Sequence, residues 1–115
     1  MVEETIRIDF NEVQIKSFVE EMRPPKSIRD QLDIGYKFEK NTLELTEIRP
    51  QFQNEKVKTN FSFAKAKFIK SQNIWKIYWM RASGKWELYE PNPEVTNLRE
   101  FFEIVDEDEY CCFKG

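Results

Sequence analysis

Residues 60–81 read NFSFAKAKFIKSQNIWKIYWMR. From Asn60 to Lys70 the chain alternates, with Ala64, Ala66 and Phe68 on one side and Lys65 and Lys67 on the other. From Ile74 to Arg81 the alternation resumes, with Trp75, Ile77 and Trp79 on one side and Lys76 and Tyr78 on the other. A period of two is the signature of a half-buried β-strand. The short connection between the two runs favours neighbouring antiparallel strands. Ala82-Ser83-Gly84 then reads as a turn, and Lys85 to Tyr89 as a further strand with Trp86 and Leu88 expected inward.

Upstream the same period appears. Leu32, Ile34, Tyr36 and Phe38 share a face, Lys40-Asn41 is a turn, and Thr42 to Arg49 returns with Leu43 and Leu45 inward. These make a hairpin that Pro50 stops, and residues 50–60 read as a polar loop. Before the hairpin, Ile15, Phe18, Val19 and Met22 have helical spacing, and Pro24-Pro25 ends the run. The expected helix is 9–23, with Asp9 as N-cap, Glu12 in a capping box and Ile8 and Val13 as a hydrophobic staple. Thr5 to Ile8 reads as a frayed lead-in or short strand. Downstream, Leu98, Phe101, Phe102 and Val105 predict a second amphipathic helix with Thr96 as N-cap, stopping before the acidic run Asp106–Glu109. Tyr110 to Phe113 is a candidate terminal strand. The expected fold is α+β, a five-stranded antiparallel meander sheet covered on one face by an N-terminal and a C-terminal helix. A chain of 115 residues is expected to form a single domain over 1–115.

Composition removes much chemistry. The chain has no histidine, which excludes histidine acid–base catalysis, serine–histidine and cysteine–histidine pairs and histidine-held metals. Its two cysteines, Cys111 and Cys112, are adjacent, too few for a four-cysteine zinc site and poorly placed for a mutual bridge. Three scattered glycines provide no P-loop or dinucleotide fingerprint. No stretch approaches twenty apolar residues and no signal peptide is visible, so neither a membrane span nor a membrane partner is expected. No cofactor and no metal are implied, and a cytoplasmic, reduced setting is expected.

The order of landmarks is also informative: Pro24-Pro25, Ile28-Arg29-Asp30-Gln31-Leu32, Leu43-x-Leu45-x-Glu47-x-Arg49-Pro50, Trp75-x-x-Tyr78-Trp79, Lys85-Trp86-x-x-Tyr89-x-Pro91, then Phe113 and Gly115. From about residue 12 to residue 115 the chain resembles the small bacterial proteins grouped as domain of unknown function 3024. Segment 51–60 departs from that pattern in lacking a tryptophan. The resemblance implies a stand-alone bacterial protein of this size; it supplies no activity and no functional residue.

The net charge of −3 conceals a strong asymmetry. Residues 49–85 carry nine basic side chains against Glu55 alone, whereas residues 86–115 carry two basic and nine acidic ones. On the period-two reading Lys65, Lys67, Lys76 and Tyr78 share an outer face, with Arg81 beyond the strand end. Cations with an aromatic among them can attract phosphates and stack bases, which suits single-stranded nucleic acid; an acidic protein is the other candidate ligand. The blander accounts are a solvated lysine face and one neutralised by the acidic C-terminal segment. A second constellation, Arg29, Asp30, Glu47 and Arg49, lies at expected strand ends. It reads as a structural ion-pair cluster, with an anion or metal site or a carboxylate enzyme as the alternative. Cys111-Cys112 reads as structural, because neighbouring carboxylates raise thiol pKa values. The reading favours a small non-enzymatic binding or accessory module. A homodimer through an open sheet edge is the third possibility.

Overall fold

The computed structural model describes the backbone of residues 2–54 and 56–113, and side chains from Glu12 onward. The element order is α1 (Val2–Met22), a single 3-10 turn (Lys26–Ile28), β1 (Asp33–Glu39), β2 (Thr42–Pro50), β3 (Lys58–Ile69), β4 (Ile74–Met80), β5 (Trp86–Leu88), β6 (Glu94–Val95) and α2 (Leu98–Glu107). The strands form one antiparallel sheet in the order β1-β2-β3-β4-β5, with β6 also on β4. The α+β meander with two helices on one face therefore stands, with one short strand more than the pattern predicts.

The β1–β2 turn is set by chemistry. Lys40 and Asn41 both adopt positive φ, 49° and 63°, between the paired residues Glu39 and Thr42. Two positive φ values in a two-residue loop belong to the turn whose twist matches a hairpin, and asparagine tolerates that region best among ordinary residues. At the other edge β4 meets two segments. Tyr78 faces Leu88 and Trp75 faces Val95, so three steps along β4 span seven on the facing chain, and residues 90–92 are looped out. Ile77 bridges the gap, its carbonyl accepting the Tyr89 N–H at 2.8 Å and its N–H donating to the Pro93 carbonyl at 2.9 Å, a contact that needs no donor from proline.

Cross-strand rows define the inner face. Tyr36, Leu45, Ala64 and Trp79 form one row, and Phe38, Leu43, Ala66 and Ile77 the next. Leu43, Leu45, Ala64, Ala66 and Ile77 are fully buried. The two alanines leave space in the middle of the sheet, and Leu98, Phe101, Phe102 and Val105 of α2 join the same core with Ile15 and Val19 of α1. Phe18 and Phe102 stack at 4.8 Å where the helices meet.

Several termini differ from expectation. Helix α1 begins at Val2, so Asp9 is a helix-interior position, not an N-cap, and Thr5–Ile8 is helical. The segment before Asp9 holds no proline or glycine, so propagation prevails over capping. The Ile8 side chain lies outside the described residues. Glu12 is used across the fold instead, its Oε1 accepting the Tyr36 hydroxyl at 2.6 Å. Burial and this carboxylate together push the Tyr36 phenol up to about 12. The N-cap of α2 is Asn97, not Thr96: its side chain accepts the Glu100 N–H at 3.0 Å, while Glu100 reaches back to the Thr96 N–H at 3.2 Å. The helix also runs through Asp106 and Glu107 before stopping at Asp108, in left-handed conformation with φ 43°. Burial of Val105 carries the helix on; the Asp108 N–H closing on Ile104 ends it. Tyr110–Phe113 is a turn rather than a strand. Asp108 Oδ1 accepts the Phe113 N–H at 3.0 Å, which folds the ring of Phe113 onto Tyr89 at 5.0 Å between centroids.

Candidate functional site

The face opposite the helices is built from the alternate positions of the same strands. One row runs Lys37, Glu44, Lys65, Tyr78, Leu88, and the next Glu39, Thr42, Lys67, Lys76, Glu94. Alternation within β3 and β4 thus brings Lys65, Lys67, Lys76 and Tyr78 together. Lys67 stands directly opposite Lys76. Like charges placed directly opposite across a sheet are destabilising. Glu94 flanks Lys76 on its far side, and Glu44 flanks Lys65.

Trp86 belongs to this outer face. It pairs with Met80, while Glu87 pairs with the inward Trp79, so Trp86 and Leu88 point opposite to the sequence expectation. The physical reason is register: β5 is three residues long, and its face is fixed by its partner on β4, not by its apolarity. The Lys65 Nζ lies 4.7 Å from the Tyr78 ring centroid and 4.8 Å from that of Trp86. An ammonium over aromatic faces is attracted by the ring quadrupole. Burial pushes the Lys65 ammonium down and Glu44 opposes this. Lys65, Tyr78 and Trp86 are each half-buried, whereas Lys67 is exposed. Sequence alternation alone does not reveal Trp86; the odd length of the turn before it was the available signal.

Arg81 is not gathered with the lysines. It lies past the end of β4, exposed, with Nε 3.6 Å from Glu87 Oε2, and its N–H closes the turn on the Lys85 carbonyl. The acidic C-terminal segment reaches the lysine rows at Glu94, which pairs with Lys76, while its last acidic residues lie in the turn after α2. Helix α2 packs on the inner face, and Cys112 beside that turn sits near Asp108 and Glu87.

The polar quartet divides into separate contacts. Arg49 binds Glu47 on its own strand at 2.9 Å. Arg29 Nε donates to the Pro24 carbonyl at 2.9 Å and its other end lies 3.8 Å from Glu20. Asp30 contributes its carbonyl, which accepts Lys58 Nζ at 2.6 Å. A bidentate ion pair instead involves Arg23, whose Nε and Nη2 each donate to Asp33 at 2.9 Å. That fork holds the Asp33 carboxyl below its ordinary value, with Arg29 adding to the effect. It joins the end of α1 to the start of β1. Sequence reading missed it because Asp33 looked like an outward strand position. Among the described residues no group of three metal-ligating side chains is gathered.

Both cysteines are free thiols. Cys111 is exposed with φ 57°, and Cys112 is half-buried. Burial first, then Asp108, pushes the Cys112 thiol up. No described helix is long and apolar enough to cross a membrane.

No curated protein and no solved structure gives a significant match to the chain. A model of the family described as domain of unknown function (DUF3024) matches residues 3–115, and the chain belongs to that family.

Proposed function

We propose that the outer face of β3, β4 and β5 binds single-stranded nucleic acid, and that the protein is a small binding module rather than an enzyme. The observation that carries this reading is the Lys67–Lys76 opposition, beside Lys65, Tyr78 and Trp86, on the sheet face without helices. Such a pair costs stability in the free protein, offset in part by Glu94 on the far side of Lys76, and is relieved further by a polyanion. The nearby aromatic side chains add affinity for bases that a purely electrostatic surface lacks.

The test is a fluorescence-anisotropy titration with a labelled oligonucleotide at low salt. Three lysine–phosphate contacts give a slope of log K against log salt near −2, from about −0.7 per phosphate on a single strand. Lys67→Glu together with Lys76→Glu abolishes binding. Absence of binding by the wild type, or binding indifferent to those reversals, overturns the reading.

A further inference from the structure

Lys65 occupies an unusual place for a surface lysine. Its ammonium lies over two rings at once, 4.7 Å from the centroid of Tyr78 and 4.8 Å from that of Trp86. Tyr78 is its direct cross-strand neighbour, and Trp86 sits one strand further on, diagonal to Tyr78. The apolar side chains of Met80 and Leu88 are their partners on the same face, both half-buried. The two rings thus form an aromatic shelf on the uncovered side of the sheet, capped by a flexible four-carbon stem and its charge.

We propose that this shelf is a subsite for one unpaired nucleobase, and that Lys65 is its occupant in the free protein. The base stacks on Tyr78 and Trp86 and displaces the ammonium, which turns to the phosphate attached to that base. This inference rests on the nucleic-acid reading above. The exchange is favourable in direction. A cation over two rings contributes roughly a 5- to 30-fold preference, from about two- to fivefold per ring, whereas stacking of a base contributes roughly 5- to 150-fold and the freed ammonium gains a phosphate. The displaced ammonium leaves the attraction of Glu44, its cross-strand neighbour, and the repulsion of Lys67, two residues along the same face, and gains an anion in exchange. The same neighbours exclude the other ligand that aromatic shelves take. A cationic ligand would enter beside Lys67 and Lys76 and push Lys65 toward them. An unpaired base offers both an open π-face and a linked negative charge, whereas the bases of a duplex are already stacked and paired, so duplexes are disfavoured.

The test compares two probes: a labelled oligothymidylate of about twelve nucleotides, within the roughly 4–16 covered by small single-strand-binding folds, and an abasic strand of equal length. The wild type is expected to hold the oligothymidylate roughly 5- to 150-fold more tightly. Trp86→Leu and Tyr78→Leu should remove that preference and leave the salt slope unchanged. Trp86→Phe, which retains a ring, should keep most of it and so separates loss of stacking from loss of fold. Lys65→Met should lower the magnitude of the slope by about 0.7, one phosphate contact, and preserve the preference for bases. Equal affinity for the two strands with the slope intact overturns the subsite and leaves the basic face standing. Loss of the base preference in Lys65→Met also overturns it. No binding of either strand overturns both.

Discussion

Lys67→Glu should make the free protein more stable while weakening ligand binding. Lys67 and Lys76 are directly opposite on neighbouring strands, and the substitution converts their repulsion into an attraction. Cross-strand charge pairs contribute roughly 0.2–1 kcal/mol in either sense. Lys67 is exposed and Lys76 half-buried, so solvent screening places the combined effect at about 0.5–1 kcal/mol rather than higher. For a domain of this size that corresponds to a rise in melting temperature of roughly 2–5 °C. Lys67→Gln, which only removes the repulsion, should give about half. Calorimetry or circular dichroism at low and high salt measures both. The gain should shrink toward zero in about 1 M salt, where the screening length falls to about 3 Å. Destabilisation by Lys67→Glu, or a gain equal at both salt concentrations, refutes the argument that the lysine pair is held at an electrostatic cost.

Other consequences follow from the core and the ion pairs. Phe101 is 0% and Phe102 4% exposed, so truncating either to alanine should cost roughly 3–5 kcal/mol, read as a fall in urea midpoint; less than about 1 kcal/mol at both would mean α2 is not docked. Asp33→Asn should lower stability at neutral pH. Asp33 has a depressed pKa in the folded state, so its contribution is present above the unfolded carboxylate value near 3.9 and fades as pH falls through the folded one. The difference between variant and wild type should therefore close on acidification, and a constant difference would contradict the Arg23–Asp33 fork. Cys111→Ser/Cys112→Ser should leave oxidised and reduced melting temperatures alike, because both thiols are free; a reductant-sensitive wild type beside an insensitive variant would contradict this.

Strands β3 and β4 were legible from Ala64 onward because lysines alternate there with apolar side chains; just before, the β2–β3 register shifts and Phe63 and Ala64 are buried in succession, which the period does not reveal. The hairpin of β1 and β2 was legible from the same kind of alternation, helped by asparagine in the turn. Trp86 was not. Apolarity says that an indole seeks cover, but here the cover comes from the stem and charge of Lys65 on the outer face, a pairing visible only once the β4–β5 register is known. The start of α1 was misread because Asp9 and Glu12 form a good local capping pattern, while Glu12 is engaged by Tyr36 from the sheet. Local signals at helix ends lose to such tertiary partners. Arg29 and Asp30 were placed near Glu47 and Arg49 by strand-end proximity. The 3-10 turn between Pro25 and Leu32 redirects them, sending Arg29 back to Pro24 and exposing the Asp30 carbonyl to Lys58. The Arg23–Asp33 fork joins two elements separated by that turn, and no periodicity encodes it.

The central claim, that the helix-free face of the sheet is the working surface, is tested most directly by a two-dimensional amide and side-chain NMR titration with a short single-stranded oligonucleotide at low salt. The account predicts that the largest shifts fall on Lys65, Lys67, Lys76, Tyr78 and the Trp86 indole N–H, with α1, α2 and the stacked Phe18–Phe102 pair unmoved. Shifts centred on that helix–helix contact, or a spectrum unchanged at saturating oligonucleotide, would contradict it.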